Sequence, residues 1–93
     1  MFKPQWVAKC VQGILTKTTT SGDAGKKSEL FQGLATILGP TSADGGAYAQ
    51  ALLEAATIFE AHRNYLRCNL LGDDQGAQRY EQARDQGLQR LGL

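Results

Sequence analysis

The sequence predicts an all-α fold: a small helical bundle of about four helices, with a long third helix and a C-terminal antiparallel helical hairpin. Three observations predict it. Apolar residues recur at helical spacing along the chain. No convincing stretch alternates apolar with polar residues. Polar or Gly-containing breaks at Thr18–Lys27, Gly39-Pro40 and Gly72-Asp73-Asp74 separate the periodic segments.

The first segment runs from about Pro4 to Lys17. Proline suits the first helical turn, where its missing N–H costs nothing. Trp6, Val7, Cys10, Val11, Ile14 and Leu15 then form one apolar face, with Lys9, Gln12 and Lys17 largely off it. A polar loop is expected at about 18–27, because Thr, Ser and Gly disfavour helix there.

The second segment is expected to start near Ser28 as N-cap, with Glu29 in its first turn. Leu30, Phe31, Leu34, Ile37 and Leu38 mark its apolar face. Gly33 would permit a close crossing, and Gly39-Pro40 would stop the helix.

The third segment is the longest. Thr41-x-x-Asp44 has capping-box spacing, and the helix should run to about Leu71 with Gly72 past its end. Tyr48, Leu52, Ala55, Phe59, His62 and Leu66 repeat at heptad spacing, the seam of closely paired helices.

Asp73 and Asp74 then supply an N-cap and a negative first turn for a fourth segment. Its inner face is read as Ala77, Tyr80, Ala83, Gly87, Leu88 and Leu91. The third and fourth segments, about 45–91, form the hairpin. The first two pack on the front half of the third helix, and the fourth returns along its back half.

Composition bounds the function. The chain has 93 residues, 42 % hydrophobic and 20 % charged, with ten Lys+Arg against nine Asp+Glu for a net charge of +1. That is one domain, residues 1–93, neither a disordered tail nor a polycation. Two cysteines are too few for a disulfide framework. Cys10 and Cys68 read as buried, reduced thiols on apolar faces. No stretch has the pattern of a signal peptide or a membrane span, so the expected location is cytoplasmic.

Catalytic and metal chemistry need clusters that the spacing does not provide. One histidine, two distant cysteines and no C-x-x-C or H-x-x-x-H argue against a metal site. His62 falls on the heptad seam. The acids are accounted for by caps and solvated faces. No catalytic residue, cofactor or enzyme activity is therefore assigned.

Gly25-Lys26-Lys27-Ser28 lacks the first glycine of a phosphate loop, Thr20 standing in its place, and has Lys27 where Ser or Thr should follow the lysine. A generic anion-binding loop of Lys26, Lys27 and Ser28 at a helix start is the reading that remains. Ala35-x-x-x-Gly39 has helix-turn-helix spacing. The helix after it lacks Arg or Lys until Arg63, which argues against major-groove reading. Trp6 beside an apolar face is read as part of a core helix, not a membrane anchor.

The expectation is a non-enzymatic adaptor, assembly factor or inhibitor that docks a helical surface on a larger protein. Arg63, Tyr65, Arg67, Arg79 and Tyr80 are the expected contacts. A homodimer is favoured, because the back half of the third helix is covered only by a small-residue helix. Small size and Met1 fit an accessory protein of bacteria or their phages. The alternative is a dimeric nucleic-acid binder that meets backbone phosphates through Arg/Lys patches.

Overall fold

The structure, a computed structural model, describes residues 4–38 and 45–92. These form four helices and no strand: α1 (Pro4–Lys17), α2 (Ser21–Leu38), α3 (Gly45–Leu71) and α4 (Asp74–Arg90). The all-α small bundle is as the spacing predicts, including the long third helix. At 1.5 Å per residue α3 is about 40 Å long, and the molecule measures 45 × 22 × 18 Å.

α3 is the central element, and each of the other helices packs on it. Chain direction alternates. Ser28 of α2 bonds the backbone of Ala56, and Gly25 lies against Arg63, so α2 runs antiparallel to α3. Along α4, Arg90 meets Glu54, Gly87 meets Ile58, Arg84 meets His62 and Gly76 meets Cys68, in strictly reversed order. The hairpin therefore pairs over most of α3. α4 covers the front half as well as the back half, which is more than the sequence suggested.

Small residues set the spacing of the core. Eight of the fifteen buried apolar residues among those described are alanine, so the helix backbones come close and a few large side chains fill the gaps. Phe31 and Phe59 stack at 5.4 Å between ring centroids and 9° between planes. Ser28, 2 % exposed, donates its hydroxyl to the Ala56 carbonyl at 3.0 Å across the α2–α3 contact.

Helix ends explain two boundaries. After α3, Gly72 takes φ +76. The Asp73 N–H then bonds the Cys68 carbonyl at 2.8 Å, and the Gly72 N–H bonds Asn69 at 3.2 Å. That is the Schellman arrangement, which only glycine enters cheaply. Asp73 also caps α4, its Oδ1 accepting the Gly76 N–H at 3.0 Å, as expected from sequence.

At α2 the sequence reading is corrected. The helix begins at Ser21, so the connection is Thr18–Thr20 and not a loop through Lys27. Thr20 is the working cap: its Oγ1 accepts the Asp23 N–H at 3.2 Å, and its carbonyl accepts from Ala24 at 3.1 Å. Thr20-x-x-Asp23 has the spacing of a capping motif and was the available signal. Packing of Ala24 and Ser28 on α3 offsets the poor helix propensity of Gly22 and Gly25.

The buried faces of α1 and α2 are also rotated from the expected ones. On α1 they are Ala8, Val11 and Leu15, with Cys10 exposed and Trp6 57 % exposed. On α2 they are Ala24, Ser28, Phe31 and Ala35, while Leu30 and Ile37 are 53 % and 69 % exposed. Gly33 faces open space and permits no crossing. Ala83 is exposed, and Arg84 takes the inner position of α4 in its place. The Gly39-Pro40 stop, the Thr41–Asp44 cap and the side chain of Leu38 lie outside the described residues.

Candidate functional site

The inner line of α4 runs Ala77, Tyr80, Arg84, Gly87, Leu91, a spacing of 3, 4, 3, 4 that puts all five toward α3. Arg84 is thus a cation in the middle of a helix seam. Its Nη1 donates to His62 Nδ1 at 3.2 Å and its Nε to Asp85 Oδ1 at 3.2 Å. Its guanidinium carbon sits 5.1 Å from the centroid of the Tyr65 ring. Tyr65 in turn stacks on His62, ring centroids 6.0 Å apart.

His62 is 6 % exposed, and its Nε2 lies 2.7 Å from the Thr18 carbonyl. A carbonyl only accepts and a guanidinium only donates, so the partners assign one tautomer: neutral imidazole, Nε2–H donating and Nδ1 accepting. The cluster ties three elements together, from the end of α1 through α3 to α4. Thr18 is itself held by its hydroxyl on the Ile14 carbonyl at 2.7 Å. Both ring nitrogens of His62 have protein partners. The charged neighbour of the ring is a cation, Arg84.

Burial holds the His62 pKa below its usual 6.5. The Thr18 carbonyl bond opposes that shift, and the Arg84 charge adds to it. Well above pH 6.5 the ring is neutral folded or unfolded. As pH falls below 6.5 the unfolded chain takes up the proton first, so stability falls with pH until the folded ring also titrates. The slope is at most ~1.4 kcal/mol per pH unit.

His62 is the chain's one histidine, so pH 6.5 to 5.5 isolates it from the carboxylates. Urea unfolding across that range should show a midpoint falling with acidity. His62→Gln, which keeps one donor and one acceptor, should flatten the dependence. An unchanged slope in that variant would assign the effect elsewhere.

The expected contact residues do not form one patch. Arg63 lies along α2, its Cδ packing over Gly25, with a long 3.8 Å approach to Glu60. Tyr65 faces α4 through Arg84. Two residues apart on a helix means opposite sides, and that separates them. Arg67 and Arg79 are exposed, and Tyr80 is half-buried. Two further hairpin arginines are engaged internally: Arg84 as above, and Arg90 on Glu54 at 2.8 and 3.0 Å.

The anion-binding loop of Lys26, Lys27 and Ser28 is corrected. All three lie within α2, and Ser28 is buried on Ala56, so no helix N-terminus is presented there. The buried-thiol expectation is corrected too. Both cysteines are free, but Cys10 is exposed and Cys68 half-buried. Burial, then the Asp73 carboxylate beside it, pushes the Cys68 thiol up and keeps it protonated.

Sequence reasoning missed a cleft between α1 and α2. Each of these helices packs mainly on α3 and little on the other. The space between them is about 270 Å³, walled by Val7 and Cys10 of α1 and Leu34 of α2, with Phe31 and Leu52 beneath and Trp6 and Tyr48 at the same end. Among the described residues, no helix is long and apolar enough to cross a membrane. Nor do any three His, Cys, Asp or Glu side chains gather closely enough to hold a metal ion. The sequence matches no protein-family model, no curated protein and no solved structure.

Proposed function

We propose that this chain is a non-enzymatic binding protein, an adaptor, assembly factor or inhibitor, that docks the turn end of its α3–α4 hairpin on a larger protein. One observation carries the reading. Leu70 and Leu71, at the end of α3, are 87 % and 80 % exposed. Large apolar side chains so fully in water, side by side at a structured helix end, gain most when a partner covers them. Arg67 lies three and four residues before them on the same face, and the exposed Asp73 and Asp74 follow them in the turn, so charges of both signs rim the apolar pair.

The test is a photo-crosslinking side chain at position 71 in cells of the native host. A discrete protein adduct, lost when Leu70→Asp is added, is the expected result. Adducts to nucleic acid, or adducts indifferent to Leu70→Asp, would overturn it. Pairing of two copies through the same leucines is the homodimer form of this reading. Light scattering then gives about twice the 10.0 kDa chain mass, and Leu70→Asp halves it.

A further inference from the structure

We propose a second docking surface, beyond the hairpin end. The cleft between α1 and α2 takes one amphipathic helix from a partner protein, apolar along its buried face and acidic at one end. Shape is the first argument. The cleft is a trough between two antiparallel helices with α3 as its floor. A helix laid there packs on three helices at once, as a further member of the bundle. A planar membrane would meet the ridges and leave the floor uncovered.

The apolar rim is the second. Leu30 and Ile37 lie four before and three after Leu34 on α2, so they continue its face outward, at 53 % and 69 % exposure. A helix in the trough would cover all three.

Charge decides what kind of helix. Lys17 follows Cys10 by seven residues on the face of α1 that walls the cleft. Lys27 precedes Leu34 by seven on the matching face of α2. Because the helices run antiparallel through the Thr18–Thr20 connection, both lysines fall at the same end, about 10 Å beyond the apolar part. Lys26 adds a third positive charge, and Asp23, four before Lys27, offsets one. The trough is therefore apolar at one end and net positive at the other. An occupant that complements it carries Leu- or Ile-like side chains at i, i+3, i+4 and i+7, with carboxylates one to two turns further on.

The experiment titrates two synthetic helical peptides of about four turns into the isotope-labelled full chain, read by backbone amide NMR shifts. Both carry the same apolar face. One ends in three glutamates and the other in three lysines. The glutamate peptide should move the amides of Cys10, Leu34 and Ile37 and bind about tenfold more tightly than the lysine peptide. Lys17→Glu at an exposed position with Lys27→Glu at a half-buried one, the fold checked by circular dichroism, should reverse the preference. Leu70→Asp should leave binding unchanged, so this surface and the hairpin end stand or fall separately.

No shift with either peptide, or equal affinity for both, overturns the proposal. So does a shift mapped to the hairpin turn. Vesicles containing phosphatidylserine that move the same amides more strongly than the peptide would assign the trough to a membrane instead. Dilution-dependent shifts there without peptide would assign it to a second copy of this chain.

Discussion

Replacing Phe59 with alanine should cost about 3–5 kcal/mol, a large part of the stability a domain of this size has. About 5–15 kcal/mol is usual for a folded domain, and a short chain sits toward the low end. Phe59 is fully buried on α3 and stacked on Phe31 of α2. Its weight comes from its surroundings. With alanine at eight of the fifteen buried apolar positions described, few large side chains carry the buried area, and Phe59 is one of them. A deleted ring here leaves Phe31 without its stacking partner between closely packed helices that can follow only in part, so a cavity remains. Urea unfolding followed by far-UV circular dichroism should show the midpoint collapse with the slope unchanged. Leu30→Ala, at an exposed position of equal hydrophobic character, should move the midpoint little, by about 0.5 kcal/mol or less. Equal effects from the two would mean that the α2 face is turned the other way.

The comparison of Phe59 with Leu30 also marks how far the sequence was legible. Helical period found every helix and the limits of α1. The heptad of α3 placed Leu52, Ala55, Phe59 and His62 inward, where they are buried. Period alone left open which apolar stripe faces the core when two are available. On α2 Leu30 and Ile37 face out, and Ala24, Ser28, Phe31 and Ala35 face in, because α3 offers backbone at Ala56 and the small side chains around Phe31 let the helices close. Hydrophobicity places Phe31 correctly but favours Leu30 and Ile37 over Ala24 and Ser28 for the inner face. The exposed stripe is then the rim of the α1–α2 trough, so the misreading falls on a surface proposed to bind.

Arg84 was illegible for a related reason. A charged residue at an inner position is read as an outer one, unless its partners are known. Those partners, His62, Tyr65 and Asp85, lie on another helix or beside it in sequence. Geometry of the same kind divides the expected contact residues between two sides of α3. Arg63 and Tyr65 are close in sequence, yet one belongs to the α2 side of α3 and the other to the α4 side.

Gly87→Val should destabilise by about 2–3 kcal/mol or more, against the ordinary gain from replacing a helical glycine. A Cβ at position 87 would stand 2.6 Å from Ile58 Cγ1 and 3.2 Å from Glu54 Oε1. Ile58 is 1 % exposed and has no room to turn aside. Valine adds two methyl groups beyond that Cβ, so α4 must lift from α3 near its C-terminal end. Lifting it also disturbs Arg90 on Glu54 and the burial of Leu91, both within a turn. Alanine alone gives a smaller loss, because about 1 kcal/mol of helix propensity offsets part of the overlap. The discriminating measurement is a double-mutant cycle with Ile58→Ala. That change alone should cost about 2–5 kcal/mol as a cavity. Combined with Gly87→Val it should cost clearly less than the sum, with about 1–3 kcal/mol of coupling, because the valine fills the space the isoleucine leaves. Strict additivity would mean that α4 does not approach α3 at this point, and the hairpin register from Arg90 to Gly76 would have to be drawn differently.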